Sequence, residues 1–430
     1  MQIYRSSDIE TVRATLKRKA ETDPSVTAAV RAIIDDVRNN GDDALFAYTK
    51  RFDGFELSRE NIRVSQDEIR KAYELVPTEL LETLKKSAAN IAAFHELQKR
   101  EGYRHEVGSA VTGRLVLPMQ RAGVYVPGGK AAYPSSVLMN IIPAKIAGVE
   151  EIIMVTPPGR DGRIEPLTLV AADVAGADTI LRIGGAQAVA ALAYGTESVP
   201  KADVITGPGN AYVAAAKREI YGEAGIDMIA GPSEVLIVAD GTANPVYVAA
   251  DFLSQAEHDE KAASVLLTPS EELAGKAAAE IERQLALLPR REIAAQSVAD
   301  FGTIVVTASL EEAFDIANAF APEHLEILTE NPMRYLCKVR NAGAVFIGEY
   351  SPEPLGDYFA GPNHVLPTSG TARFSSPLSV DDFVKTTNYV YYDRSALEAC
   401  YNDIKRFAEA EGLNAHARSA AIRFEAEDKP

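Results

Sequence analysis

The sequence predicts an α/β protein made of two parallel-sheet units, and three observations predict it. From Arg121 onward, short apolar strands alternate with helices in steps of roughly 20–30 residues, the pattern of a parallel sheet with helices on its faces. A second alternation of the same kind begins at Val235. At 430 residues the chain is also too long for one ordinary core.

The first hundred residues read as helices. Asp23-Pro24 offers a cap followed by a proline in the first turn, and Ala28, Ala29, Ile33, Ile34 and Val37 recur on one face. Leu80, Leu81, Leu84, Ala88, Ile91 and Ala92 repeat at helical spacing over residues 77–99. The first sheet then reads as strands at Val124-Tyr125-Val126, Ile152-Ile153-Met154-Val155, 179–183 and Asp203-Val204-Ile205-Thr206. Helices are expected over 135–147, 166–175, 186–194 and 210–221. The second sheet reads as strands at Val235-Leu236-Ile237-Val238, 263–268, 303–307 and Ala344-Val345-Phe346-Ile347, with helices over 245–258, 271–288 and 310–320. Residues 368–381, rich in Ser, Thr and Pro, read as a linker. Beyond them, residues 383–407 lead into a short helical tail that cannot hold a core alone.

Composition narrows the function. A net charge of −17 provides no basic field to neutralise phosphates, which argues against nucleic-acid binding. Two cysteines, Cys337 and Cys400, build no disulfide framework and fit a reducing cytoplasm. Neither has the polar flanks that activate a thiolate, so core or surface thiols are expected. The first residues run straight into charged sequence without a signal-type apolar stretch. No run of about 18 apolar residues occurs, so no membrane span is expected.

The chemistry concentrates around histidine, which ligates metals as a neutral donor and titrates near pH 7. Four of the six histidines stand in polar signatures: Ser254-Gln255-Ala256-Glu257-His258-Asp259, Pro322-Glu323-His324, Gly361-Pro362-Asn363-His364 and Glu411-Gly412-Leu413-Asn414-Ala415-His416. His95 and His105 lie in charged sequence and read as solvated. Gln255 and His258 are three apart on a helix that Asn244 caps, so both face one side. Such a pair alone is ordinarily a helix-end His bonded to a carbonyl, because Gln is an uncommon ligand. With Asp357 and His416 added, the donor set suits a borderline ion such as zinc. Glu323-His324, expected at a helix end, pairs an acid with a base; an exposed charged pair is the plain alternative. Gly207-Pro208-Gly209-Asn210, Pro127-Gly128-Gly129 and Gly184-Gly185-Ala186-Gln187 are strand-to-helix turns that let backbone approach an anion, or are structural turns only. None satisfies GxGxxG, and no GxxxxGK[ST] loop exists.

Taken in order, Tyr125-Val126-Pro127-Gly128-Gly129, Gly207-Pro208-Gly209-Asn210, Ile226-Asp227-Met228-Ile229-Ala230-Gly231-Pro232-Ser233-Glu234, the Ser254–Asp259 hexad, Ala321-Pro322-Glu323-His324-Leu325 and Gly361-Pro362-Asn363-His364-Val365-Leu366-Pro367 closely resemble the signatures of the histidinol dehydrogenase family. The resemblance runs from about residue 20 to the C-terminus. It implies a zinc- and NAD-dependent enzyme that oxidises L-histidinol to L-histidine through a bound aldehyde. The implied zinc ligands are Gln255, His258, Asp357 and His416, and the implied acid/base pair is Glu323 and His324. Substrate contacts would fall on Ser233, Gln255, His258, His324, Asp357, His364, Glu411 and His416, and NAD would lie against Tyr125, Gln187 and Asn210. The implied assembly is a homodimer whose C-terminal tails complete the partner's site. The implied fold is two Rossmann-like, doubly wound α/β domains of the aldehyde dehydrogenase-like class, with a helical N-terminal segment and a small C-terminal dimerising tail. The expected partition is residues 1–20, then 21–118 with 236–376, 119–235 on the nucleotide side, and the tail 377–430. A zinc/NAD dehydrogenase for another small primary alcohol and, further off, a metallohydrolase are the alternatives.

Overall fold

The computed structural model describes residues 3–8, 23–128 and 133–424. Gly129 and most of the expected N-terminal segment lie outside the described residues. In chain order the strands are β1 (Ile3–Arg5), β2 (Tyr103–Val107), β3 (Ala110–Pro118), β4 (Arg121–Tyr125), β5 (Glu151–Val155), β6 (Thr179–Leu181), β7 (Val204–Thr206), β8 (Gly225–Ile226), β9 (Glu234–Ala239), β10 (Ala263–Thr268), β11 (Thr303–Val306), β12 (His324–Leu328), β13 (Ala344–Ile347) and β14 (Val384–Tyr391). The chain divides into one unit of residues 1–99 and 119–383, and another of residues 100–118 and 384–430.

The larger unit contains both expected parallel sheets. One runs β6-β5-β4-β7-β8 and the other β1-β11-β10-β9-β12-β13, every neighbouring pair parallel. Parallel strands covered on both faces read as continuous apolar runs, and β9 and β10 are buried at every position. Alternation then sorts β9: Val235, Ile237 and Ala239 enter one core, while Leu236 and Val238 enter the opposite one. Truncating one of the larger of these to Ala would cost about 2–5 kcal/mol. Helix Ala211–Ile220 starts because the Asn210 side chain accepts from the amides of Tyr212 and Val213. Helix Pro245–Ala256 starts the same way, with Asn244 accepting from Val246 and Pro245 at the first position.

The structure departs from the sequence expectations in several places. Ile3–Arg5, expected in a helical stretch, is an edge strand in register with Ile304–Val306. Residues 368–381 are packed rather than linking: Thr368, Leu378 and Val380 are buried, and the Thr368 hydroxyl accepts from the Gly231 amide at 2.6 Å. His95 is fully buried, not solvated. It stands four residues after buried Ile91 on helix Thr78–Glu96, so helical phase turns it inward despite charged neighbours. Its Nδ1 donates to the Ile91 carbonyl at 2.8 Å, its Nε2 accepts from Asn363, and burial holds it neutral by lowering its pKa.

The smaller unit contains an antiparallel sheet, β14-β3-β2, followed by helices Arg394–Glu398, Tyr401–Ala410 and Asn414–Ala421. The stretch that leads into the helical tail includes a strand, residues 384–391, matched to 111–118.

Asp53 ends helix Pro24–Asp53 with one carboxylate oxygen lacking a partner, and burial pushes its pKa to about 6. The folded carboxyl thus holds its proton at a pH where the unfolded one, near 3.9, has lost it. Stability is lost as pH rises from that unfolded value through 6. Asp53→Asn should therefore raise the Tm of cofactor-free protein by several degrees at pH 8 and leave it nearly unchanged at pH 4, as read by thermal scans at both pH values.

Candidate active site

Glu323 and His324, the expected acid/base pair, stand at the junction of β9 and β12. Helix Leu310–Phe320 closes on Ala321 in the left-handed region (φ 56°), and the chain turns through Pro322 and Glu323 into β12. His324 therefore opens a buried strand, paired with Val235, instead of ending a helix as the sequence suggested. Both side chains take hold of the same residue. The Glu234 amide donates to Glu323 Oε2 at 2.8 Å, and His324 Nδ1 donates to the Glu234 carbonyl at 2.9 Å. That bond fixes the tautomer and leaves Nε2 as the acceptor nitrogen. Nε2 is buried without a hydrogen-bond partner.

Glu353 and Asp357 approach this nitrogen from helix Glu353–Tyr358, one turn apart on one face. Donor atoms of His324, Glu353 and Asp357 lie within 4.8 Å of one another, and His324 Nε2 is 3.9 Å from Glu353 Oε1. The Glu353 amide donates to Glu326 Oε1 at 3.1 Å, and Ser254 donates to Glu353 Oε2 at 3.4 Å. His364 Nδ1 bonds the Asp357 carbonyl at 3.0 Å, with Ser136 Oγ 3.3 Å from its Nε2. A cavity of about 580 Å³ opens over His324, Asp357 and His364, walled by Phe94, Val345 and Leu366. That volume suits a small ligand with a few fixed polar contacts.

Burial dominates the electrostatics. It drives the His324 pKa down to about 4, with Asp357 pulling it back up and nearby His258 and His364 pushing it lower. Burial likewise lifts Glu323 well above the usual carboxylate range, and nearby Glu234, Asp357 and Glu353 add to it. Glu353 is raised to about 9 by burial and by Asp357 beside it. A neutral imidazole can accept a proton, and carboxyls whose proton affinity is raised by burial take one more readily than an ordinary carboxylate once ionised.

Of the sequence-predicted residues, the structure brings His324, Asp357 and His364 to one cavity, with Glu323 behind them. Gln255 is buried in the last turn of helix Pro245–Ala256, and its Oε1 has no partner. His258 lies past that helix's end and is exposed, its amide bonded to the Gln255 carbonyl at 3.2 Å. Ser233 is half-buried just before β9. Glu411 and His416 are exposed in the smaller unit. The sequence reading missed Glu353, Glu326 and Asp251. Asp251 and Glu326 share a hydrogen bond, and burial raises Asp251 to about 6.

A second set of residues gathers at the carboxyl ends of β4, β6 and β7. Here the strand order reverses between β4 and β7, where open α/β sheets bind ligands. Tyr125 is buried with its hydroxyl accepting from the Gly185 amide at 3.1 Å. Gln187 is 1 % exposed and its Oε1 lacks a partner. Asn210 caps the helix behind Gly207, which holds φ at 112°; a Cβ there would stand 2.0 Å from the Tyr125 carbonyl oxygen.

Comparison with known proteins gives the family. The sequence model described as histidinol dehydrogenase matches residues 16–424. The histidinol dehydrogenase of Halalkalibacterium halodurans is 54% identical over 415 residues, spanning 96% of this chain and 97% of its own. That of Bacillus cereus is 56% identical over 404 residues, 94% of each chain. The crystal structure of histidinol dehydrogenase from Elizabethkingia anophelis superposes with a TM-score of 0.94 at 39% identity, covering 100% of this chain and 99% of that one. With the sequence model, close relatives and fold in agreement, this chain is an oxidoreductase that belongs to the histidinol dehydrogenase family.

Proposed function

We propose that the chain oxidises L-histidinol to L-histidine through bound L-histidinal, consuming two NAD and one water. The observation that carries this reading is His324, a buried neutral imidazole whose Nδ1 is committed to the Glu234 carbonyl and whose Nε2 is free at the cavity. In the first oxidation His324 takes the hydroxyl proton at Nε2. In the second, Glu323 takes a proton from the water that attacks the aldehyde. Burial keeps the aldehyde from bulk solvent between the two steps.

The residues present fit a metal. A buried carbonyl oxygen without a donor, such as Gln255 Oε1, costs about 1–3 kcal/mol, and a cation satisfies it. Zinc would be held by Gln255, His258, Asp357 and the partner subunit's His416. When bound it supplies a Lewis acid that orients the substrate's amine and imidazole nitrogens. Ser233, His364 and Glu411 complete the substrate contacts. The cradle of Tyr125, Gln187 and Asn210 fits a dinucleotide: Gln187 Oε1 awaits a donor, and the three residues gather where the strand order reverses between β4 and β7. NAD there supplies the hydride acceptor, and we assign residues 119–235 as the nucleotide side. The sharing of sites between two subunits is supported by the smaller unit's surface, where Phe407, Ile422, Leu413 and Ile404 are exposed apolar side chains. A cytoplasmic location accords with two free cysteines and, among the described residues, with no helix long and apolar enough to cross a membrane.

NAD reduction measured with histidinol, other amino alcohols and sulfonated diols tests the substrate. Turnover of another alcohol with histidinol inert would transfer the assignment to a related dehydrogenase. Cofactor-independent hydrolysis would transfer it to a metallohydrolase. Glu323→Gln should slow histidinal oxidation on the order of 100-fold while slowing histidinol oxidation far less, because only the second step needs an activated water. Equal slowing of both half-reactions in single-turnover assays would remove that role.

A further inference from the structure

Lys217 follows the Gly207-Pro208-Gly209-Asn210 turn by one helical stretch. A lysine so placed could in principle serve a phosphate. The structure commits it elsewhere. Its side chain is 3% exposed and ion-paired with Asp227, itself 1% exposed at the side chain. Lys217 Nζ donates to the Gly207 carbonyl at 2.9 Å, and Asp227 Oδ2 accepts from the Gly207 amide at 2.9 Å. One buried ion pair thus grips both polar groups of a single residue.

That residue is also sterically confined. Gly207 stands in the left-handed region and packs against the Tyr125 backbone more closely than any Cβ would permit. Three residues on, Asn210 is tied to the helix start through two capping bonds. The turn is therefore held at both ends before any ligand arrives. A buried ion pair is a poor device for stability alone, because apolar side chains of similar volume commonly do as well or better. Orientation is what it adds. Each member holds one polar group of the Gly207 peptide while facing the other, so the two bonds are set by one geometry.

We propose that Lys217 and Asp227 are a positioning pair that pre-forms the Gly207–Asn210 turn for the dinucleotide, and that neither touches the cofactor. This rests on the assignment of that turn to NAD. Pre-forming a binding turn removes its ordering cost from the binding step, so the pair should act on cofactor affinity and leave the histidinol side alone.

The test combines a variant with an exchange measurement on the unaltered protein. Lys217→Met/Asp227→Leu removes both charges at similar volume. With the variant's metal content and thermal unfolding checked, KM for NAD should rise about tenfold or more, with KM for histidinol and kcat within about twofold. An unchanged KM for NAD, or equal deterioration of all three constants, overturns the proposal. Should the double variant not fold, hydrogen exchange on the wild-type protein decides it. The Gly207 amide should be protected without NAD, whereas protection that appears only once NAD is added overturns pre-formation. The two levels separate cleanly. If NAD leaves the exchange of every amide in the turn untouched, the cofactor assignment itself falls. If NAD protects the turn but the double variant binds NAD normally, only the pair's role falls.

Discussion

His324→Asn should lower the rate of histidinol oxidation on the order of 1,000-fold while the protein remains folded. The substitution is chosen for its geometry. The new side-chain amide keeps a donor near the position of Nδ1, so the bond to the Glu234 carbonyl can persist, whereas the Nε2 acceptor is deleted. His324→Gln makes the complementary change, reaching toward Nε2 but abandoning Glu234. If the buried nitrogen at the cavity is the base, both variants lose activity and the His324→Asn protein keeps the better thermal stability. Activity of that variant within tenfold of the parent, measured at saturating histidinol and NAD, would mean that another group takes the proton. Glu353, 3.9 Å from Nε2, would then be the next residue to remove.

The second large effect concerns the assembly. His258→Ala and His416→Ala should each be nearly inactive alone, because each removes one of the four proposed metal donors. Mixed in equal amounts with subunit exchange allowed, they should recover roughly a quarter of normal sites. Half of the dimers are then mixed, and in each mixed dimer one site carries both lesions while the other carries neither. Tails that serve their own subunit would leave every site with one lesion and give no recovery. Affinity capture of differently tagged subunits verifies the exchange on which the arithmetic depends.

The parallel sheets were legible because their strands are buried on both faces, so that 152–155 and 235–238 announce themselves without any knowledge of their neighbours. What was illegible had distant partners. β2 is polar and exposed, and β3 completes its ladder with β14, far along the chain, a pairing that no local pattern encodes. Ile3–Arg5 is a strand only because β11 offers an open edge. His95 was misread from the charges beside it when the helical phase from Ile91 would have buried it. Gln255, His258, Asp357 and His364 were picked out by residue type and motif, but their contacts were not. Glu353 stands between Pro352 and Pro354, which reads as surface loop, and only the fold turns it toward His324. The Lys217–Asp227 grip on Gly207 was invisible for the same reason: spacing along the chain says nothing about which peptide two charges will share.

The central claim is that one site carries an alcohol through its aldehyde to the acid. Its most direct test is the yield of NADH per histidinol consumed, taken to completion with the product identified. Two NADH per histidinol with histidine as product is the predicted result. One NADH with histidinal released, or consumption of histidinol without NADH, would contradict the account.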